Sequence, residues 1–202
     1  IASSKRIHQL DLEDEVSGIQ FSSDGRFVAV SVSDHLSLHR SNGPGVPSET
    51  ISIHRVDDGT LVMRTLPGAR MLGFSSDSDK VLLSSRNDKR GKIQVWSLIT
   101  NKLIYSPTIS ENSEAFASFV SPDLIVVSQV ATTQVHSIQL RAPISATYVH
   151  EDVRVGETAP MHAAFVDDDA VVVAFETLPD ERAIVAKLPI RRFLLDDQAS
   201  LP

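Results

Sequence analysis

Four phenylalanines, Phe21, Phe74, Phe119 and Phe165, recur at near-equal intervals along the chain. Each closes a short run of small and apolar residues: VSGIQF, ARMLGF, AFASF and MHAAF. After each comes an acidic turn (SSDG, SSDSD, VSPD, VDDD) and then a second apolar run (RFVAVSV, KVLLSS, LIVVSQV, AVVVAFE). A period of roughly 40–50 residues built from short strands is the pattern of a β-propeller, whose four-stranded blades bury their faces against one another. The expected fold class is therefore all-β, with about four antiparallel blades in one region spanning 1–202.

Aligned on the phenylalanines, the blades fall near 13–67, 68–107, 108–150 and 151–197, with a leading strand at 5–12 (KRIHQLDL). The four strands of each blade, a to d, are expected at 16–21, 26–32, 50–55 and 60–66; at 69–74, 80–85, 92–97 and 102–106; at 115–120, 124–130, 134–140 and 144–149; and at 160–166, 170–177, 183–188 and 192–196. The c strands alternate apolar and polar residues (Ile51 and Ile53; Ile93 and Val95), as half-buried strands do. The b strands are more continuously apolar, as strands buried on both faces are. The four phenylalanines are expected to be equivalent and buried. A leading strand plus a complete fourth blade is one strand too many for a closed ring of four. The expectation is thus an incomplete stretch of a larger, seven-bladed propeller, and an unfilled sheet edge favours that reading because such edges aggregate.

Composition narrows the function classes. The chain has 202 residues, 42% hydrophobic and 22% charged, which suits a packed domain rather than a disordered one. A net charge of −7 argues against a direct nucleic-acid binder, which needs a basic stripe to displace counterions from phosphates. With no cysteine there is no disulfide framework and no thiolate metal site. No apolar run is long enough to form a transmembrane helix. No Asn is followed two positions on by Ser or Thr, which fits an intracellular setting, cytoplasmic or nuclear.

Two segments carry a family resemblance. FSSDGRFVAV, from Phe21, resembles the Phe-Ser-Pro-Asp-Gly turn and following strand of WD-repeat propellers, and GKIQVWSLITNKL resembles their third strand. Trp96 stands at the Trp position, followed by Ser97 in place of Asp; by register His54 takes that position in the first blade. VSPD at 120–123 repeats the turn with its Pro intact. No unit has the full Gly-His and Trp-Asp pair, so these resemble degenerate WD repeats. The resemblance implies a propeller that docks other proteins, as a subunit of a multiprotein complex.

The chemistry-bearing residues form no recognisable catalytic set. None of the seven His residues forms H-E-x-x-H, and there is no G-x-S-x-G and no phosphate-cradling glycine loop. No metal, cofactor or catalytic residue is expected. Strand order places the Asp-rich turns (Asp24, Asp57, Asp58, Asp77, Asp79, Asp123, Asp167, Asp168, Asp169) on one rim, either as ordinary turn formers or as an acidic face for a basic partner. The opposite rim carries the Gly- and Pro-broken insertion 33–49, with Arg40, and the RNDKRGK loop, with Arg86, Lys89 and Arg90. Long loops and local basic clusters in an acidic protein suit the docking of an acidic protein or peptide. Arg40, Arg86, Lys89 and Arg90 are the candidate contacts. Two other readings stand beside the non-catalytic scaffold. One is an enzyme on a propeller, lactonase-like or attached to a peptidase; the other is a phosphoinositide-binding propeller, for which Arg191-Arg192 is the one adjacent Arg pair.

Overall fold

The computed structural model describes residues 15–34, 48–87, 90–109, 115–129, 132–145, 147–149, 161–167, 170–177 and 182–189. Every regular element among them is a β-strand. The first sheet holds β1 (Glu15–Phe21), β2 (Phe27–Asp34), β3 (Ser48–Arg55) and β4 (Leu61–Arg64). The second holds β5 (Ala69–Phe74), β6 (Lys80–Asn87), β7 (Arg90–Ser97) and β8 (Lys102–Tyr105). The third holds β9 (Ala115–Ser121), β10 (Leu124–Gln129), β11 (Thr132–Ser137), β12 (Ala142–Pro143) and β13 (Tyr148–Val149). The fourth holds β14 (Met161–Asp167), β15 (Ala170–Thr177) and β16 (Arg182–Pro189). Apart from β13, strands are hydrogen-bonded in chain order within each sheet, and every pairing is antiparallel, which is the up-and-down blade expected from the sequence.

The third blade departs from its expected outline. Its c strand, β11, lies at Thr132–Ser137 rather than 134–140, and its d strand is split into two bridges on β11: Ala142–Pro143 at one end and Tyr148–Val149 at the other. Between the two bridges Val135 N donates to the Ser145 hydroxyl at 2.9 Å rather than to a backbone carbonyl, which interrupts the ladder. The leading strand at 5–12, the strand at 192–196 and the interior of the 33–49 insertion lie outside the described residues.

Burial follows from alternation along the central strands. On β6, Val81 and Leu83 face one neighbour, packing with Ala69 against Ala29, Ile51, Ile53 and Met63 of the first blade. Leu82, between them, faces the other way and packs with Ile93, Val95 and Tyr105 against Ala117, Ile125 and Val127 of the third blade. The third blade in turn sets Leu124, Val126, Val135 and Ile144 against Val171 and Leu188 of the fourth. Each fully buried Val, Leu or Ile contributes roughly 1.5–3 kcal/mol, so the inter-blade faces dominate the stability.

The phenylalanines are equivalent by register in the first three blades but are not a uniform buried set. Phe21 pairs with Val28, Phe74 with Val81 and Phe119 with Ile125. Phe74 and Phe119 are half-buried, and Phe21 is 60% exposed. The expectation of burial fails most at Phe21: its partner Val28 lies on the face of β2 opposite Ala29, which packs against the second blade, so Phe21 is on the side turned away from it, whereas Phe74 packs at the first junction and Phe119 at the second. In the fourth blade Phe165 pairs with Val172, yet the β15 residue packed against the third blade is Val171, whose partner on β14 is Val166.

Candidate functional site

The rim bearing the a–b and c–d turns is fixed by repeated side-chain and backbone bonds. Ser22 and Ser75 each follow a phenylalanine, and each hydroxyl closes its turn. Ser22 Oγ accepts from Phe27 N at 3.0 Å and donates to Asp24 Oδ1 at 2.8 Å; Ser75 Oγ accepts from Lys80 N at 3.0 Å and donates to Asp77 Oδ1 at 2.5 Å. One backbone bond then ties each c–d turn to the a–b turn beside it: Val56 N to Arg26 O at 2.9 Å, Leu98 N to Asp79 O at 2.8 Å and Ile138 N to Asp123 O at 2.8 Å. Asp24, Asp57, Asp77, Asp79 and Asp123 therefore share a rim, as strand order requires. Asp167 pairs with Ala170 at the same end of the fourth blade, while Asp168 and Asp169 lie outside the described residues.

Ionic ties cross from blade to blade along this rim. Arg26 pairs with Asp24 in its own turn and reaches Asp79 of the second blade, Nη2 to Oδ1, at 2.9 Å. Lys80 pairs with Asp77 at 2.9 Å and reaches Asp123 of the third blade at 3.6 Å. Ser23 Oγ donates to Ser76 O at 2.9 Å across the first junction. The backbone N–H of Arg26, with its guanidinium and the Ser22 hydroxyl, holds the Asp24 carboxyl well below the usual carboxylate range. Partial burial pushes the Asp77 carboxyl up, but hydrogen bonds from Ser75, Lys80 and the Asp79 backbone outweigh it and the net direction is downward.

Beside these ties the inner strands of three blades converge on a cleft of about 290 Å³. Phe21, Phe74 and Phe119 form its apolar wall. Ser23, Ser75, Ser76 and Ser121 line its mouth, with Gln20 and Val120 completing it. This cleft was not foreseeable from the spacing of the repeats. Its signal was visible as the repeated Phe-Ser-Ser at 21–23 and 74–76, but those residues read as core and turn because convergence of the inner strands is a tertiary fact.

Of the basic candidates, Arg86 and Arg90 are placed, and they sit at the other rim. Arg86 lies on β6 opposite Gly91, and Arg90 on β7 opposite Asn87, at the b–c hairpin of the second blade. Lys89 and Arg40 lie outside the described residues, as does most of the 33–49 insertion. Asp34 and Ser48 pair directly, so the insertion leaves the first blade at its b–c end, the same rim as Arg86 and Arg90.

The c-strand position held by Trp in the resemblance is occupied by His54, Trp96 and His136, which pair with Val28, Val81 and Ile125. Trp96 packs between the first two blades, but its Nε1 is buried without a hydrogen-bond partner, as are Nε2 of His54 and of His136. His136 Nδ1 lies 2.8 Å from the hydroxyl of Tyr105, across the junction of the second and third blades. Burial pushes the His136 pKa down to about 4 and raises that of Tyr105. Among the described residues no group of His, Cys, Asp and Glu is arranged to hold a metal ion.

No protein-family model matches the sequence, and no curated protein matches it. Solved structures do. Hydrazine synthase from Kuenenia stuttgartiensis is matched over 93% of this chain and 56% of its own, at 12% identity and a TM-score of 0.56. BamB from Moraxella catarrhalis is matched over 89% of this chain and 55% of its own, at 11% identity and a TM-score of 0.51. Both are β-propeller proteins, and the likeness places the chain in the class of β-propellers built from antiparallel blades. The chain spans about half the length of the solved propellers it matches.

Proposed function

We propose that this chain is a degenerate WD-repeat-like propeller region that acts as a non-catalytic scaffold, docking partner proteins within a larger intracellular assembly. One observation carries the reading: the charged side chains of the described a–b rim are engaged in holding blades together, and the concavity beside them is lined by Phe, Ser, Gln and Val, none ionisable near neutrality. Such a lining offers contact and hydrogen bonding rather than proton transfer. The opposite rim brings the first-blade insertion and the second-blade basic hairpin to the same end of neighbouring blades. That suits an acidic protein or peptide, with Arg40, Arg86, Lys89 and Arg90 as contacts and association that weakens with salt.

The test is charge reversal. Proteins captured by the chain are purified singly and titrated against the wild type and against the Arg86→Glu, Lys89→Glu, Arg90→Glu triple variant, with folding checked by circular dichroism. Direct binding that the triple variant weakens supports the reading. Direct binding that it leaves unchanged removes the basic rim from the proposal. A chain that binds phosphoinositide vesicles, or turns over a substrate, and no protein overturns the scaffold.

A further inference from the structure

The two rims differ in what their cations do. On the a–b rim Arg26 and Lys80 are each held by two carboxylates. At the b–c end of the second blade Arg70 and Lys92 are exposed, and neither forms an ion pair among the described residues. Arg70 pairs with Ser84 of β6, two residues from Leu82, and so is on the face turned to the third blade. Lys92 pairs with Ser85, two residues from Leu83, and so is on the face turned to the first. Unpaired cations therefore stand on both sides of the hairpin that carries Arg86 and Arg90. The carboxylates placed at this rim near the first junction, those of Glu15, Asp34 and Glu49, belong to the first blade.

An apolar side chain is presented at the same rim. The link from β4 to β5 crosses the first junction there, and its backbone is fixed on either side of Leu66. Thr65 N donates to Ile51 O, Ile51 N donates to Thr65 Oγ1, and Gly68 N donates to Glu49 O, each at 2.9 Å. Gly68 takes a φ of 88°, which glycine adopts without strain. Between these anchors Leu66 is 76% exposed, more than any other large apolar residue described. Both blades at this junction are packed against each other, so Leu66 does not belong to an uncovered sheet face. A backbone already held in place leaves little ordering to be lost when a partner arrives.

We propose that the tip of the second blade binds an extended acidic segment of a partner protein, with an apolar side chain seated on Leu66 and carboxylates meeting Lys92 and Arg70. β5 and β7 flank β6 and so lie about 10 Å apart, which an extended segment covers in about three residues. The recognised pattern is an apolar residue beside an Asp or Glu, with a second Asp or Glu about three positions further on. This proposal rests on the acidic-partner reading of the same rim, and adds to it an apolar anchor and two cations outside the hairpin loop.

The experiment pans the 202-residue chain against a random dodecapeptide phage library. Enriched peptides are synthesised and titrated by fluorescence anisotropy at low and high salt. They are compared on the wild type, on Leu66→Ser, on the Arg70→Gln, Lys92→Gln double variant and on the Arg86→Glu, Lys89→Glu, Arg90→Glu triple variant. Leu66, Arg70 and Lys92 are exposed, and circular dichroism and thermal melting verify that the variants fold. The expected consensus joins an apolar residue to two acidic ones. Its affinity should fall about tenfold on Leu66→Ser, the equivalent of about 1.4 kcal/mol. It should also fall on the double variant and at high salt. Peptides that bind Leu66→Ser or the double variant as tightly as the wild type overturn the proposal; if the triple variant still weakens them, the hairpin reading stands. Loss on Leu66→Ser and the double variant but not on the triple upholds this surface and removes the hairpin contacts from the earlier reading. No enrichment, a consensus lacking Asp and Glu, or one lacking the apolar residue would each overturn the proposal.

Discussion

At the scale of the residue, His136 links burial to pH. Its imidazole is enclosed between the second and third blades, with Tyr105 at Nδ1 and no partner at Nε2. The ordinary His pKa is 6.5, and in the folded chain burial brings it to about 4. Between those values the unfolded chain binds more protons than the folded one, so stability rises with pH across this window. The contribution is complete above the unfolded pKa and is lost as pH falls towards 4. At most about 3 kcal/mol is at stake. Urea midpoints measured from neutral to mildly acid pH should fall for the wild type, and the fall should be smaller for His136→Gln. A second residue-scale expectation concerns the c–d turns. Gly59, Asn101 and Arg141 all adopt positive φ, of 71°, 51° and 53°. Glycine meets that requirement freely and asparagine tolerates it, but arginine is strained there. Arg141→Gly should raise stability by up to about 1 kcal/mol, read as an increased denaturation midpoint.

At the scale of the element, the central strands carry the fold, and substitution should grade accordingly. Leu82→Ala on β6 empties a fully buried site between the second and third blades and should cost about 2–5 kcal/mol in chemical denaturation. Phe21→Ser, at an exposed strand end, should cost less than about 1 kcal/mol. This ordering reverses the rank suggested by the sequence, in which the phenylalanines look like the anchors of the repeat. What was legible was the alternation: KVLLSS reads as a strand buried on both sides, and β6 sends Val81 and Leu83 one way and Leu82 the other. Strand ends were mostly legible too, because Gly, Asp and Pro punctuate them. The depth of Phe21 was not, since burial depends on which sheet face meets a neighbouring blade, and Phe21 is on the first-blade face turned away from the second. The cleft was invisible for the same reason, and so were the ties of Arg26 to Asp79 and Lys80 to Asp123, whose partners lie in different repeats. Arg40 and Lys89 are prominent in the sequence, but their placement is outside the described residues.

At the scale of the whole molecule, the buried apolar clusters among the described residues each join one blade to the next, so stability should approximate a sum of blade and junction contributions. The ionic ties along the a–b rim add to those junctions only modestly. The side chain of Arg26 is 53% exposed, and exposed pairs contribute about 0–1 kcal/mol each. Replacing Arg26 and Lys80 together by Ala should therefore lower stability slightly at low salt, with the difference vanishing near about 1 M salt, where charges are screened within a few ångströms. The two rims are built differently. The a–b and c–d turns are bonded to one another, through Val56 N to Arg26 O and its counterparts in the next two blades. At the b–c ends Thr132 Oγ1 donates to Gln129 O within the third blade, and in the first blade Asp34 pairs with Ser48 with residues 35–47 between them, where the second blade needs only 88–89 between Asn87 and Arg90. Each doubling of a flexible loop costs only about 0.6 kcal/mol. One side of the molecule is thus a fixed chassis and the other an editable margin: a foreign sequence grafted between Asp34 and Ser48 should change what the protein recognises while leaving its melting temperature almost where it was.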